Sequence, residues 1–179
     1  LDDVQTAIRW VKAHARQFQG DPQRIVLFGH SAGGHLVCLA ATLADESTRV
    51  QAVVAYAPVT DLVADTMTRG GVSPSLQALF GCGPQPTRET LAVLREDSPG
   101  AHVAAGLPPF LLVQGDADRT VPRQQSLDFQ ARLRAAGVRC DLVTIPGAPH
   151  ALAAWQAHAP DYALRVTAWS REVLGLVSP

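Results

Sequence analysis

Arg24-Ile25-Val26-Leu27-Phe28-Gly29-His30-Ser31-Ala32-Gly33-Gly34 compresses a strand, a sharp turn and the start of a helix into one short stretch. Ile25 to Phe28 is a continuous apolar run, the pattern of a strand buried on both faces. From Gly33 to Leu43 the apolar spacing is helical. Between them Gly29-His30-Ser31-Ala32-Gly33 is a G-x-S-x-G, a pattern that this composition would produce by chance about 0.05 times per chain. A strand-to-helix corner of this kind presents the serine hydroxyl above a sheet. Small residues are needed around it, and a side chain at Gly29 or Gly33 is expected to clash across the turn. The plainer reading of the same residues is a glycine-rich turn in which Ser31 caps the helix.

Working outward, Val4, Ala7, Ile8, Val11 and Ala15 recur at helical spacing behind Asp2 and Asp3, which predicts a helix over 2–18. Gly20-Asp21-Pro22 breaks it. Residues 50–59 read as a second buried strand stopped by Pro58, residues 109–115 as a third, and 140–145 as a fourth. Helices are predicted at 122–136, ended by Gly137, and at 160–174. The stretch 60–108 is broken by glycines and prolines into an irregular insert with short helices near 75–80 and 87–95. Alternating helices and near-continuous apolar strands predict an α/β fold, a parallel sheet with helices on both faces.

The chain has 179 residues, 47 % hydrophobic and 17 % charged, enough for one domain with a buried core. Fifteen basic residues against sixteen acidic give a net charge of −1, which offers no electrostatic footprint for nucleic acid or an anionic membrane. No apolar run approaches the ~20 residues of a membrane span. Cys38, Cys82 and Cys140 match neither a disulfide framework nor a zinc site; Cys38 reads as core. Trp155, Tyr162 and Trp169 are expected to pack the last helix. The chain opens on Leu1 in an amphipathic helix with no visible signal peptide, so the cytoplasm is the default compartment, with secretion left open.

A serine hydroxyl is a weak nucleophile at neutral pH and needs a base held by a third group. In a strand–elbow–helix architecture the partners follow in the order serine, acid, histidine, on loops after later strands. After the third strand comes Gln114-Gly115-Asp116-Ala117-Asp118, where Asp118 lies deeper in the loop and Asp116 can tie its own loop to backbone. After the fourth strand comes Pro146-Gly147-Ala148-Pro149-His150. Of the six histidines, His14 lies upstream, His30 and His35 flank the serine too closely, and His102 precedes the acid. His150 is the leading base, with His158 the alternative.

These segments resemble the C-terminal portion of the α/β-hydrolases, and within them the hormone-sensitive-lipase-like and bacterial feruloyl- or acetyl-esterase-like carboxylesterases. The resemblance is carried by Ala7-Ile8-Arg9-Trp10-Val11, Gly20-Asp21-Pro22, Gly29-His30-Ser31-Ala32-Gly33-Gly34-His35, Thr60-Asp61-Leu62, Ser98-Pro99, Asp116-Ala117-Asp118 with Val121-Pro122, and Pro146-Gly147 before His150. It implies Ser31 as nucleophile, Asp118 as acid and His150 as base in an acyl-enzyme mechanism that uses no metal and no cofactor. The N–H of Ala32 is then one oxyanion donor. Asp61 is implied to be structural, and Met67, Leu76, Leu79 and Phe80 fall where relatives place substrate-binding segments.

The same resemblance implies about a hundred further residues upstream, carrying the first half of the sheet and a His-Gly-Gly-Gly-like loop with the second oxyanion donor. The expectation is therefore a single, N-terminally truncated domain over 1–179, about four strands of the fold, with Ile25-Val26-Leu27 at a bare edge. The function expected is hydrolysis of short-chain carboxylic esters, small-molecule substrates. Amide hydrolysis of the arylformamidase type and a catalytically inert fragment are the other readings.

Overall fold

The computed structural model describes residues 1–176. Four strands, β1 (Val26–His30), β2 (Ala52–Tyr56), β3 (Phe110–Gly115) and β4 (Cys140–Ile145), form one parallel sheet in the order β1-β2-β3-β4. A single rung runs His30, Tyr56, Val113, Val143 across the sheet. Beyond that rung β3 and β4 continue together to the pair Gly115 and Ile145, so the loops that follow them rise above the end of β1.

Period-two alternation divides the strands between two cores. Val53, Ala55, Phe110, Leu112 and Cys140 face Ile8 of α1 (Asp2–His14), Val37, Cys38, Ala40 and Ala41 of α2 (Ala32–Thr42), and Phe129 and Leu133 of helix Gln124–Ala135. Ala52, Val54, Leu111, Val113 and Ile145 face Trp155, Val166 and Trp169 on the other side. The expected packing of Trp155 and Trp169 holds, and helices cover both faces. At β2 and β3, buried nearly throughout, truncating a leucine such as Leu112 to alanine costs about 2–5 kcal/mol.

Several elements differ from the sequence expectations, each for a local reason. The first helix gives way at Ala15 to a 3-10 turn ending at Phe18, where Gln19 takes φ 59°. β2 stops at Tyr56 because Ala57 turns to φ 44° ahead of Pro58. The insert holds three helices: α3 (Leu62–Arg69), α4 (Pro74–Phe80) and α5 (Arg88–Glu96). The unforeseen one, α3, starts where the Asp61 carboxylate accepts from Ala64 N–H and ends at Gly70 in the left-handed region. The other helices, in order, are α6 (Gln124–Ala135), α7 (Trp155–His158) and α8 (Tyr162–Val173); α7 was also not anticipated.

β1 is not the fully buried strand its composition suggests. It has one hydrogen-bonded neighbour in the described sheet, and Phe28 is 53 % exposed. The glycine expectation is half right. A Cβ on Gly29 would lie 2.1 Å from the Gly33 carbonyl oxygen, a backbone clash nothing can relieve, whereas a Cβ on Gly33 would meet nothing within 4 Å. The second close approach belongs to Gly34, whose Cβ would come within 3.1 Å of the Tyr56 carbonyl oxygen. Accordingly, Gly29→Ala should destabilise the fold by about 3–5 kcal/mol. Gly33→Ala, inside α2, should leave stability unchanged or raise it by up to about 1 kcal/mol; urea unfolding of the two variants separates them.

His35 of α2 is half-buried and donates from Nδ1 to the Val59 carbonyl at 2.9 Å. Burial holds its pKa below the ordinary value, opposed in part by the Val59 bond and by Asp97. The unfolded chain therefore takes up a proton at His35 as pH falls through about 6.5, and the folded chain does so only lower. Stability from this group is complete above that pH and declines below it. Unfolding midpoints taken from about pH 7.5 down to 5.5 should fall more steeply for the parent than for His35→Gln.

Candidate active site

Ser31 occupies the corner between β1 and α2 at φ 56°, ψ −117°, a conformation an L-residue holds only when its surroundings over-determine it. Its N–H donates to the Tyr56 carbonyl at 2.8 Å, and its carbonyl accepts from the His35 N–H at 2.9 Å. The hydroxyl makes no cap on α2. Instead Oγ lies 2.9 Å from His150 Nε2, and His150 Nδ1 lies 2.7 Å from Asp118 Oδ2. Three residues separated by up to 119 positions thus form one line of hydrogen bonds.

The proton positions follow from what each neighbour can accept. A carboxylate only accepts, so Nδ1 of His150 carries its hydrogen toward Asp118 and Nε2 is left to receive the Ser31 O–H. The Asp118 side chain is wholly buried and over-determined. Oδ1 accepts from the Thr120 and Val121 N–H groups at 2.8 and 2.9 Å, and Oδ2 accepts from Gln114 Nε2 at 3.1 Å as well as from His150. Asp116 is exposed and, rather than tying its own loop, accepts from the Gly147 N–H at 2.6 Å. That bond links the loop after β3 to the loop after β4. His158 is exposed and lies against Gly147.

The loop that presents His150 is gripped from several sides. Ala148 packs so closely beneath Gly115 that a Cβ there would fall 2.2 Å from the Ala148 carbonyl oxygen. Trp155 Nε1 donates to the Pro149 carbonyl at 2.7 Å, and His30 Nε2 lies 2.9 Å from the His150 carbonyl oxygen. Gln114, Trp155 and His30 in this supporting role were not anticipated. Gln114 carried a signal: it is a lone amide in the apolar run Phe110-Leu111-Leu112-Val113, and it is fully buried, with Oε1 accepting from Ser126.

Ala32 is the first residue of α2, so its N–H lacks a helical acceptor four residues upstream. Asp61 is a structural residue, capping α3 and pairing with Arg132 Nη2 at 2.9 Å. Of the substrate-segment candidates, Met67 and Leu79 are 61 % and 73 % exposed. An open cleft of about 460 Å³ nearby is lined instead by Arg69, Val72, Ser73 and Pro84 among others. Burial raises the Tyr56 hydroxyl to about 12, with Tyr162 adding to the effect, so Tyr56 is a neutral wall. Among the described residues no helix is long and apolar enough to cross a membrane, and no group of three His, Cys, Asp or Glu could hold a metal ion.

The family model BD-FAE matches residues 1–133. The "probable carboxylic ester hydrolase LipM" of Mycobacterium tuberculosis is 35 % identical over 144 residues, which cover 74 % of this chain and 33 % of LipM. Among solved structures, a truncated carbohydrate esterase from gut microbiota superposes with a TM-score of 0.80 at 26 % identity, covering 97 % of this chain and 67 % of that one. The butyrate-bound thermophilic esterase Est2 of Thermogutta terrifontis matches with a TM-score of 0.73 at 30 % identity, covering 99 % and 66 %. The chain therefore spans about a third of the length of LipM. With the family model matched over most of its residues and an overall fold shared with solved esterases, the chain belongs to the BD-FAE family of carboxylesterase-like α/β-hydrolases.

Proposed function

We propose that the protein hydrolyses short-chain carboxylic esters through an acyl-enzyme on Ser31. The observation that carries this reading is the continuous line Ser31 Oγ, His150 Nε2, His150 Nδ1, Asp118 Oδ2 at 2.9 and 2.7 Å. Similarity to a relative named as a carboxylic ester hydrolase and to an esterase described as butyrate-bound supports the reaction and the short acyl group.

In this mechanism Ser31 Oγ bonds to the ester carbonyl carbon while its proton passes to Nε2 of His150. Asp118 keeps the ring oriented and stabilises the imidazolium that forms. The carbonyl oxygen becomes an oxyanion facing the Ala32 N–H. Collapse breaks the carbon–oxygen bond to the alcohol, which leaves with the proton held on Nε2. Water then attacks the acyl-serine, giving its proton to the same nitrogen, and the tetrahedral adduct expels Ser31 Oγ, which recovers that proton as the carboxylic acid departs. Every proton transfer uses one ring atom, and no cofactor enters a step.

Steady-state turnover of p-nitrophenyl butyrate tests the assignment. Ser31→Ala and His150→Ala should each lower kcat by roughly 10⁴–10⁶, and Asp118→Asn by about 10⁴. Asp116→Asn should cost far less, because that carboxylate ties two loops and does not touch His150. Ser31→Ala turning over at the parental rate would remove Ser31 from the mechanism. A larger loss from Asp116→Asn than from Asp118→Asn would reassign the acid.

A further inference from the structure

The elbow has a second polar residue whose ring does not point at the reaction. His30 is the last residue of β1, immediately before the nucleophile, and its backbone is paired in register with Tyr56. Its side chain crosses to the loop after β4, where Nε2 lies 2.9 Å from the carbonyl oxygen of His150. A carbonyl only accepts, so His30 carries its hydrogen on Nε2 and donates it. The two imidazoles lie with centroids 4.9 Å apart, and the His30 and Trp155 rings meet nearly at right angles with centroids 6.2 Å apart.

The consequence is a short mechanical circuit. Residue 30 grips the backbone of residue 150, while the next residue, Ser31, meets the imidazole of the same residue 150. The remaining grips on this loop fall on Gly147, Ala148 and Pro149. Beyond them the Ala151 carbonyl accepts from the Ala154 N–H at 2.9 Å, and between these anchors the His150 carbonyl itself is held by His30. His150 reaches its two partners at hydrogen-bond distance on opposite ring nitrogens, so a swing of the peptide that carries this carbonyl moves Nε2 off Ser31 Oγ or Nδ1 off Asp118.

We propose that His30 is a positioning residue for the hydrolysis, its Nε2–H clamping the His150 carbonyl so that the base keeps register with the nucleophile. The proposal rests on the triad reading above. It concerns the donor, not the ring: any side chain of the right length that carries an N–H can serve, and one that lacks it cannot.

Three substitutions in the full chain separate these possibilities. Gln is long enough to reach the carbonyl with an amide N–H; Met has nearly the same length and no donor; Phe keeps an aromatic ring against Trp155 and His150 and has no donor. With p-nitrophenyl butyrate, His30→Met and His30→Phe should lower kcat about 10- to 100-fold with KM within about 2-fold, as a misplacement of an ångström or less costs. His30→Gln should recover kcat to within about 3-fold of the parent at unchanged KM. Parental kcat in either folded donor-less variant overturns the proposal, as does an equal loss in Gln and Met.

A second readout does not depend on turnover. The downfield proton resonance of the His150 Nδ1–H, assigned by its loss in Asp118→Asn, should persist in His30→Gln and broaden or vanish in His30→Met. Its survival unchanged in the Met variant overturns the proposal. An inert parent that shows the expected resonance pattern would leave the clamp in place and remove only the ester-hydrolysis reading.

Discussion

The peptide that turns from β1 into α2 has room for one residue only, and that residue must enter the left-handed region. Ser31 at φ 56° stores about 1–3 kcal/mol of backbone strain, and the surroundings show how it is held. Its N–H is tied to the end of β2 at Tyr56. Gly29 lets the Gly33 carbonyl fold back to 2.1 Å from where a Cβ would stand, and Gly34 lets α2 settle against Tyr56 and Pro58. The neighbouring strand is strained at the matching place, with Ala57 at φ 44°. Two strained residues joined through one hydrogen bond are tolerable because β2 and β3 behind them are buried almost without exception, and shifting them would open the core.

Parallel strands then do the work of assembly. All four strands present their C-terminal ends at one edge, so residues more than a hundred positions apart meet without any long loop. β3 and β4 run on past the rung of His30 and Tyr56 to Gly115 and Ile145, and that extension lifts the Asp118 and His150 loops over Ser31. The loops are cross-braced before they reach it. Asp116 holds Gly147, Gly115 receives Ala148, and Asp118 is fixed by two backbone N–H groups and the Gln114 amide. A carboxylate with four donors is the most rigid part of the site, so the variable part is the setting of the imidazole.

Much of this was legible in the residues because strand burial and glycine demand leave strong local marks. Residues 110–115 and 140–145 announce themselves as continuous apolar runs, and the elbow, the Asp118 loop and the His150 loop follow from their order after those runs. What escaped depends on contacts across the chain. Ile25 to Phe28 has the composition of a central strand, and its place at an edge was implied by the family resemblance, not by the local pattern. α3 hides behind a short polar start, since its cap is the Asp61 carboxylate and it packs chiefly against α5, an element of the same insert. Gly33 and Gly34 look alike in sequence, yet only Gly34 lies against another strand. His30 could be excluded as the base from its place beside Ser31, but its grip on residue 150 is a tertiary fact.

The electrostatics at the start of α2 fit the proposed chemistry. α1 opens with Asp2 and Asp3, α3 is capped by Asp61, and α4 and α5 are capped by Ser73 and Thr87. Each of those ends is satisfied by oxygen or negative charge, worth about 0.5–2 kcal/mol per cap, whereas α6, α7 and α8, like α2, have neither a side-chain cap nor an acidic residue in the first turn. α2 has no acidic residue in its first turn, and its Ser31 hydroxyl is turned to His150 instead of to the helix. Its leading residues are Ala32, Gly33 and Gly34, none of which supplies an acceptor. The helix thus forgoes a cap and keeps its first N–H groups and the positive end of its dipole open toward the space beside Ser31 Oγ. In the proposed reaction, the oxyanion formed when the ester carbonyl is attacked brings a negative charge to this end and supplies the missing cap. On that proposal, the stabilisation withheld from the resting helix is delivered where the charge develops, the condition for differential binding of a transition state.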